Sequence, residues 1–232
     1  MTDIGGSPLG TRFLFQGELA SRYDRINRWA TLGMDGLWRE ALVKRADPFL
    51  RKNPGPLLDL ACGTGEMTRI LRDRHRGRTL LGLDLSREMM EQALKKPGPW
   101  NLVQGGLPLP FRCGSLTAVF CAFGIRNFAD LPGEIHELFR VLRPGGRLYV
   151  LEFFRRDSLP VRFLRRVAGT LLFPLLARAT GSDPGAYRYL ISSMGSFLSL
   201  PQVEEVMERG GFRTIGRKSL FFGLLALWEG ER

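Results

Sequence analysis

The sequence predicts an α/β fold: a mostly parallel sheet with helices on both faces and an antiparallel C-terminal strand. Three observations predict it. Short apolar runs alternate with amphipathic segments over residues 57–153, joined by short connections, as in repeated strand–helix–strand units. Those runs are continuous rather than alternating, as expected of strands covered on both faces. The chain has 232 residues, 44% of them hydrophobic, enough for one α/β domain with a full core.

Taken in order, residues 1–16 are glycine-rich and aperiodic and read as a flexible tail. Residues 17–232 read as a single domain. From Gly17 to Leu32 the positions Leu19, Tyr23, Ile26 and Ala30 recur at helical spacing. A second helix is expected from Asp35, as its N-cap, toward Leu50. Together 17–52 form a helical attachment, which Asn53-Pro54-Gly55-Pro56 ends. Leu57–Ala61 is then a buried strand, Gly63-Thr64-Gly65 a turn, and Glu66–Arg74 a helix. Thr79–Leu83 is a strand ending at Asp84, and Ser86 caps a helix to Lys95. Further strands are expected at Trp100–Gln104, Leu116–Ala122 and Arg147–Phe153. Leu131–Leu142 is a helix that Arg143-Pro144-Gly145-Gly146 stops. A helical insertion over 154–200 follows: a helix with two prolines at Asp157–Ala177, then Asp183–Ser193. Pro201–Arg209 is helical. Phe212–Ser219 and Phe221–Glu229 are strands joined without a crossover helix, hence antiparallel.

Composition excludes several classes. The apolar runs are far shorter than the roughly 20 residues of a spanning helix, and the first residues lack the layout of a secretory signal. Three cysteines, Cys62, Cys113 and Cys121, make no C-x-x-C pair. Neither a disulfide framework nor a structural metal site is indicated, and a cytoplasmic location is expected. The histidines, His75 in a solvated loop and His136 beside Glu137, suggest no ligand cluster. Lys and Arg number 34 against 23 acids, for a formal charge of +11. Such a balance suits an anionic partner or an arginine-rich genome.

The segment Asp59-Leu-Ala-Cys-Gly63-Thr-Gly65 lies between a strand and a helix, where glycines let a ligand approach the main chain. Asp84, at the tip of the next strand, can accept hydrogen bonds from ribose hydroxyls. The third glycine of a dinucleotide fingerprint is missing. A single adenosine with a small charged tail fits better, and Asp59 could hold a cationic amino group.

LLDLACGTG, the acid of GLDLS and VLRPGGRLYVLEF resemble the class I S-adenosylmethionine-dependent methyltransferases, which have a Rossmann-like fold. RYDRINRWATLGMDGLWR (Arg22 to Arg39), AFGIRNF (Ala122 to Phe128) and YRYL (Tyr187 to Leu190) resemble the family that C-methylates the quinone ring in menaquinone and ubiquinone biosynthesis. The resemblance covers residues 17–232. It implies that Thr64, in the glycine turn of Gly63 and Gly65, and Asp84, at the ribose, contact S-adenosyl-L-methionine, with Gly106 and Leu107 on the adenine side and Ala122 at a further cofactor-side position. It implies that Arg126 and Asn127 face the quinol, Tyr23 and Asn27 a lid, and Tyr187, Arg188 and Tyr189 a late substrate-side segment. There are departures. The adenine loop reads Gln104-Gly-Gly-Leu-Pro-Leu-Pro-Phe111, one residue shorter than usual and without its acid; Ser115-Leu116-Thr117 stands where S-F-D is usual. Cofactor binding weaker than the family norm is expected, by the roughly ten- to a hundredfold that a lost charged hydrogen bond costs, unless backbone carbonyls substitute.

The resemblance implies methyl transfer to the ring of demethylmenaquinol or a ubiquinol precursor. Alternatives are another lipid or phenolic acceptor, an inactive relative, or a basic RNA-modifying protein. Arginine cannot readily act as a free base, so Arg126 would lower the phenol pKa and hold the phenolate. It could instead pair with Asp130. Tyr23 could be core and Asn27 a solvated cap. No metal is needed. From Phe154 to Gly181 six arginines flank a stripe of Val161, Leu164, Ala168, Leu171, Leu172 and Leu175, which suits either docking on an anionic membrane surface, on its inner face, or packing on the sheet. The partners expected are thus a prenylated quinol, that membrane surface and a second copy of the chain in a homodimer; nucleic acid is not expected, since the arginines interleave with Leu and Phe rather than lining an aromatic groove.

Overall fold

The computed structural model describes residues 18–156, 158–180 and 192–232. Tyr187, Arg188 and Tyr189, the tail 1–16 and most of the helix expected over 183–193 lie outside the described residues.

Two helices open the chain, α1 (Glu18–Ala30) and α2 (Met34–Lys52). Asp35 does not cap α2. Gly33 does, in the left-handed region at φ 76°, and Asp35 sits in the first turn, where it accepts a hydrogen bond from Arg39. The sheet then builds from β1 (Leu57–Leu60), β2 (Leu80–Asp84), β3 (Leu102–Gln104), β4 (Leu116–Ala122) and β5 (Leu142–Phe153). Between them lie α3 (Glu66–Arg74), α4 (Arg87–Leu94) and α5 (Leu131–Val141). Ser86 caps α4, its Oγ accepting from the Met89 N–H at 3.2 Å. Asp130 caps α5 by accepting from the Gly133 N–H, and Pro132 stands in the first turn.

The strand order is β3-β2-β1-β4-β5-β7-β6, with β6 (Arg213–Leu220) and β7 (Leu225–Glu231). Pairing is parallel from β3 to β5 and antiparallel between β5, β7 and β6. The final strand is therefore inserted between β5 and β6. The expected start of β5 at Arg147 is too late. Leu142 already pairs with Leu116, and the next partners are Arg147 and Ala118. Arg143–Gly146 is thus a bulge within a long strand, with Gly145 at φ 71°.

The two-residue period of the strands divides the core. On one face Leu58, Val119, Val150 and Trp228 pack with Ile135 and Leu138 of α5 and with Val203 and Met207 of α8 (Leu200–Arg209). On the other Leu57, Phe120, Tyr149 and Leu151 pack with Leu42 and Val43 of α2 and Leu71 of α3. His75, expected in a solvated loop, is nearly buried beside α2: its Nε2 lies 3.1 Å from Asp47 Oδ1.

The helix expected over Asp157–Ala177 is interrupted. α6 (Leu159–Val167) and α7 (Phe173–Thr180) are joined by a π-helical segment, Ala168–Leu172. Pro160 stands in the first turn of α6, where its missing N–H costs nothing. Pro174 has no N–H to give the preceding turn, and the wider π turn precedes it. α1 packs on α2, α4 and α7, so it spans the C-terminal edge of the sheet.

Candidate active site

The C-terminal ends of β1, β2 and β4 open into a cleft of about 730 Å³. Topology places it there. β1 pairs with β2 on one side and β4 on the other, so the chain leaves neighbouring strands in opposite directions and a crevice opens between. The volume suits a nucleoside-sized ligand.

The glycine turn forms one wall. Gly63 and Gly65 lie at φ +55° and +79°, a region other side chains avoid. A Cβ on Gly65 would stand 2.6 Å from the Trp100 ring. Gly65 does not line the cleft; it caps α3. Asp84 ties the turn to the next strand: Oδ2 accepts from the Gly63 N–H at 2.7 Å, and Oδ1 from the Ser86 N–H at 2.8 Å. Burial pushes its carboxyl up and these backbone bonds pull it back.

Asp59 lies deeper, 1% exposed, and accepts from the Thr68 hydroxyl at 2.5 Å. Burial pushes its pKa up to about 7, with Thr68 and Arg39 opposing. Among the described residues its charge is only partly balanced, by Arg39. Thr64 is buried, and its hydroxyl donates to Asp24 of α1. Lys96 completes this latch by donating to Asp24 at 2.6 Å, Glu66 at 2.7 Å and the Thr64 carbonyl at 2.8 Å.

Gly106, Leu107 and Ala122 line the same cleft, with Leu107 at its rim, 44% exposed. A Cβ on Gly106 would meet Leu85 at 2.6 Å. No acid lies in Gln104–Leu109, but Asp130 and Glu134 line the cleft from the start of α5. Burial pushes Glu134 up to about 7, against the hydrogen bond it accepts from the Ala129 N–H.

A second, smaller chamber of about 200 Å³ adjoins the cleft. Its walls are mainly apolar, with Trp38 meeting Phe153 edge-on at 5.9 Å and Phe123 stacked on Phe153 at 5.4 Å. Tyr23, Arg39 and Phe123 line both spaces and so form their junction. Phe123 is held there at φ +62°, its N–H donating to Leu151 at 2.7 Å, a conformation that a bulky residue keeps only when its surroundings fix it. Arg39 stands 5.0 Å over its ring.

Asn27 and Arg126 line the smaller chamber, whereas Asn127 lines the larger cleft. The two residues of the Arg-Asn pair thus serve adjoining spaces. The acid paired with Arg126 is Glu152, not Asp130: Nη1 donates to Oε1 at 2.5 Å, and both side chains are nearly inaccessible. Among the described residues no cluster of three or more His, Cys, Asp or Glu could hold a metal.

Sequence reasoning missed Asp24, Lys96, Arg39, Phe123, Glu134 and Glu152. Glu152 carries a readable signal, a lone acid inside the apolar strand Leu148–Phe154. The others are set by tertiary placement.

A sequence model of the ubiE/COQ5 methyltransferase family matches residues 13–232. The demethylmenaquinone methyltransferase of Thermus thermophilus is 37% identical over 220 residues, 93% of this chain and 98% of that protein. The ubiquinone/menaquinone biosynthesis C-methyltransferase UbiE of Syntrophotalea carbinolica is 34% identical, covering 96% of this chain and 94% of its own. Among solved structures, an S-adenosylmethionine-dependent methyltransferase from Aquifex aeolicus superposes with a TM-score of 0.59 at 16% identity, over 98% of this chain and 99% of that one. A possible histamine N-methyltransferase from Thermotoga maritima gives 0.62 at 18%, over 91% and 97%. At such identities the likeness speaks for the fold.

Proposed function

The chain belongs to the ubiE/COQ5 methyltransferase family, and from that footing we propose that it transfers methyl from S-adenosyl-L-methionine to the ring of a demethylated menaquinol or ubiquinol precursor. It is a methyltransferase of the adenosylmethionine-dependent kind. The observation that carries the substrate reading is the junction at Tyr23, Arg39 and Phe123, where a nucleoside-sized cleft meets a ring-sized apolar chamber walled by a buried cation.

The cleft fits the cofactor by its donor set. Gly63 leaves the main chain open to a ligand, Asp84 is fixed to accept ribose hydroxyls, and Asp59, whose charge Arg39 balances only in part, would accept an ammonium group. The bound cofactor contributes an electrophilic methyl on a sulfonium. Everything else is the protein's task. Phe123 and Tyr23 hold ring and cofactor in line, which lowers the barrier by fixing orientation. Arg126 stabilises the phenolate that makes the neighbouring ring carbon nucleophilic. Asn127, on the cofactor side, positions the donor end.

The smaller chamber opens at the surface. Leu32, Leu172 and Phe221 line it and are also 72%, 37% and 37% exposed. Its volume admits a ring, not a prenyl chain, so the chain would leave there. Beside this mouth Leu171 and Leu175 are exposed at 60% and 55%, with Arg162, Arg166 and Arg178 exposed on the same helical unit. That is the composition of a surface resting on an anionic bilayer. No described helix is long and apolar enough to cross one.

The test is labelled methyl transfer to reduced demethylmenaquinone in detergent, with product identified by mass. One added ring methyl is expected. Transfer to a hydroxyl, or to RNA in place of the quinol, would refute the substrate reading.

A further inference from the structure

Resting on that substrate reading, we propose that Glu152 takes the quinol proton through Arg126, acting as a positioning residue and proton acceptor behind a guanidinium that is never itself left neutral. Three observations carry it. Glu152 is fully buried at the C-terminal part of β5, and Arg126 Nη1 donates to it at 2.5 Å. Arg126 lines the ring-sized chamber, so the pair runs from the chamber wall into the sheet. Oε1 also accepts the Phe153 N–H at 2.7 Å, which fixes the carboxylate without neutralising it.

A buried pair of this kind is poor at adding stability, because desolvating two ions offsets most of their attraction. Its chemistry is another matter. An arginine alone cannot accept a proton at neutral pH. Backed by a carboxylate, it can pass one on. In one concerted step the Arg126 Nη1–H bond breaks as an O–H bond forms on Glu152 Oε1, and the electron pair this frees on Nη1 takes the quinol proton as the quinol O–H bond breaks. The guanidinium keeps its charge, Glu152 becomes a neutral acid, and the ring gains the electron pair. The ring carbon then forms its bond to the methyl group while the sulfur–methyl bond breaks. The ring proton at that carbon leaves to water. The proton on Glu152 returns through Arg126 to the quinol oxygen, which resets the pair. One proton is released per methyl transferred, as the loss of the sulfonium charge requires.

The groups that face Glu152 among the described residues are these. Arg126 is the charged group facing Glu152 from the 3-10 turn Ile125–Asn127, Cys121 of β4 is a buried thiol held far above its usual range, and Ala226 of β7 pairs opposite. Burial pushes the Glu152 carboxyl above its usual range, and the Arg126 guanidinium opposes that rise.

The experiment compares the unaltered enzyme with Glu152→Gln and Glu152→Asp, using reduced demethylmenaquinone in detergent from pH 6 to 10 and a separate cofactor titration. Glu152→Gln is expected to lower kcat at pH 7 about 100-fold, the scale of general-base assistance. Its cofactor Kd should stay within about threefold, and its kcat should climb about tenfold per pH unit as the quinol ionises unaided. Glu152→Asp should keep the wild-type pH profile at reduced rate, which covers the case in which the glutamine variant fails to fold. A Glu152→Gln rate within threefold of wild type would overturn the proposal. So would a lost rate that rising pH does not restore, or an aspartate variant with a shifted profile. No transfer by the unaltered enzyme would overturn the substrate reading itself.

Discussion

Asp59 is held in the folded protein with a pKa of about 7, far above the 3.8 of a free aspartate, chiefly because burial disfavours its charge. A raised acid binds its proton more tightly folded than unfolded. Its contribution to the stability of the ligand-free protein is therefore complete below about pH 4 and lost as pH rises through about 7. Asp59→Asn should raise the Tm of the ligand-free protein at pH 8 by several degrees, roughly the effect of 1–2 kcal/mol on a domain this size. The same change should weaken cofactor binding about tenfold or more, through the lost charged partner. Calorimetry and titration on one sample check both; a lower Tm at pH 8, or unchanged affinity, would show that Asp59 is structural. Asp84→Asn should also weaken binding, and without the stability gain, since Asp84 already satisfies two backbone donors. The glycine turn and both acids were legible in the sequence because their chemistry depends on local spacing. Arg39 was not singled out, nor was Glu152 despite standing alone as an acid in an apolar strand, because the surroundings of both are set by which side chains meet them across the fold.

At the scale of elements, α1 is tied to the glycine turn and to α4's end by a charged cluster, in which Asp24 meets Thr64 and Lys96. These groups are partly exposed, Lys96 at 24% and Asp24 at 40%, so the latch is worth little in global stability. Lys96→Ala should leave the Tm within about 2 °C, yet speed hydrogen exchange in α1 and raise the cofactor Kd about threefold to tenfold. Equal exchange in both proteins would show that packing, not this cluster, holds α1. The order of strands and helices followed from the alternation of apolar runs, and the cap at Ser86 from a side chain that accepts a hydrogen bond locally. The bulge at Arg143–Gly146 and the π turn at Ala168–Leu172 did not. Proline and glycine signal an interruption, but whether the chain stops, bulges or widens is settled by its neighbours.

The whole molecule joins a sheet covered on both faces to two adjoining spaces at its C-terminal edge. The formal charge of +11 acquires a direction there, with exposed arginines beside the mouth of the apolar chamber. Flotation with vesicles should show binding to anionic lipid that falls steeply between 50 and 200 mM salt, on the order of the Debye screening change. Binding indifferent to lipid charge would remove the electrostatic part, and Leu171→Glu with Leu175→Glu should weaken what remains. On the proposed mechanism, Arg126 and the reduced ring act together in the smaller chamber. The most direct measurement is ring-methylated product from wild type and Arg126→Ala, each supplied with reduced and with oxidised demethylmenaquinone. Product from the wild type with the reduced acceptor alone, falling at least about 100-fold in the variant while cofactor affinity holds, is the predicted result. Equal product from the oxidised acceptor, or an Arg126→Ala enzyme as fast as wild type, would contradict it.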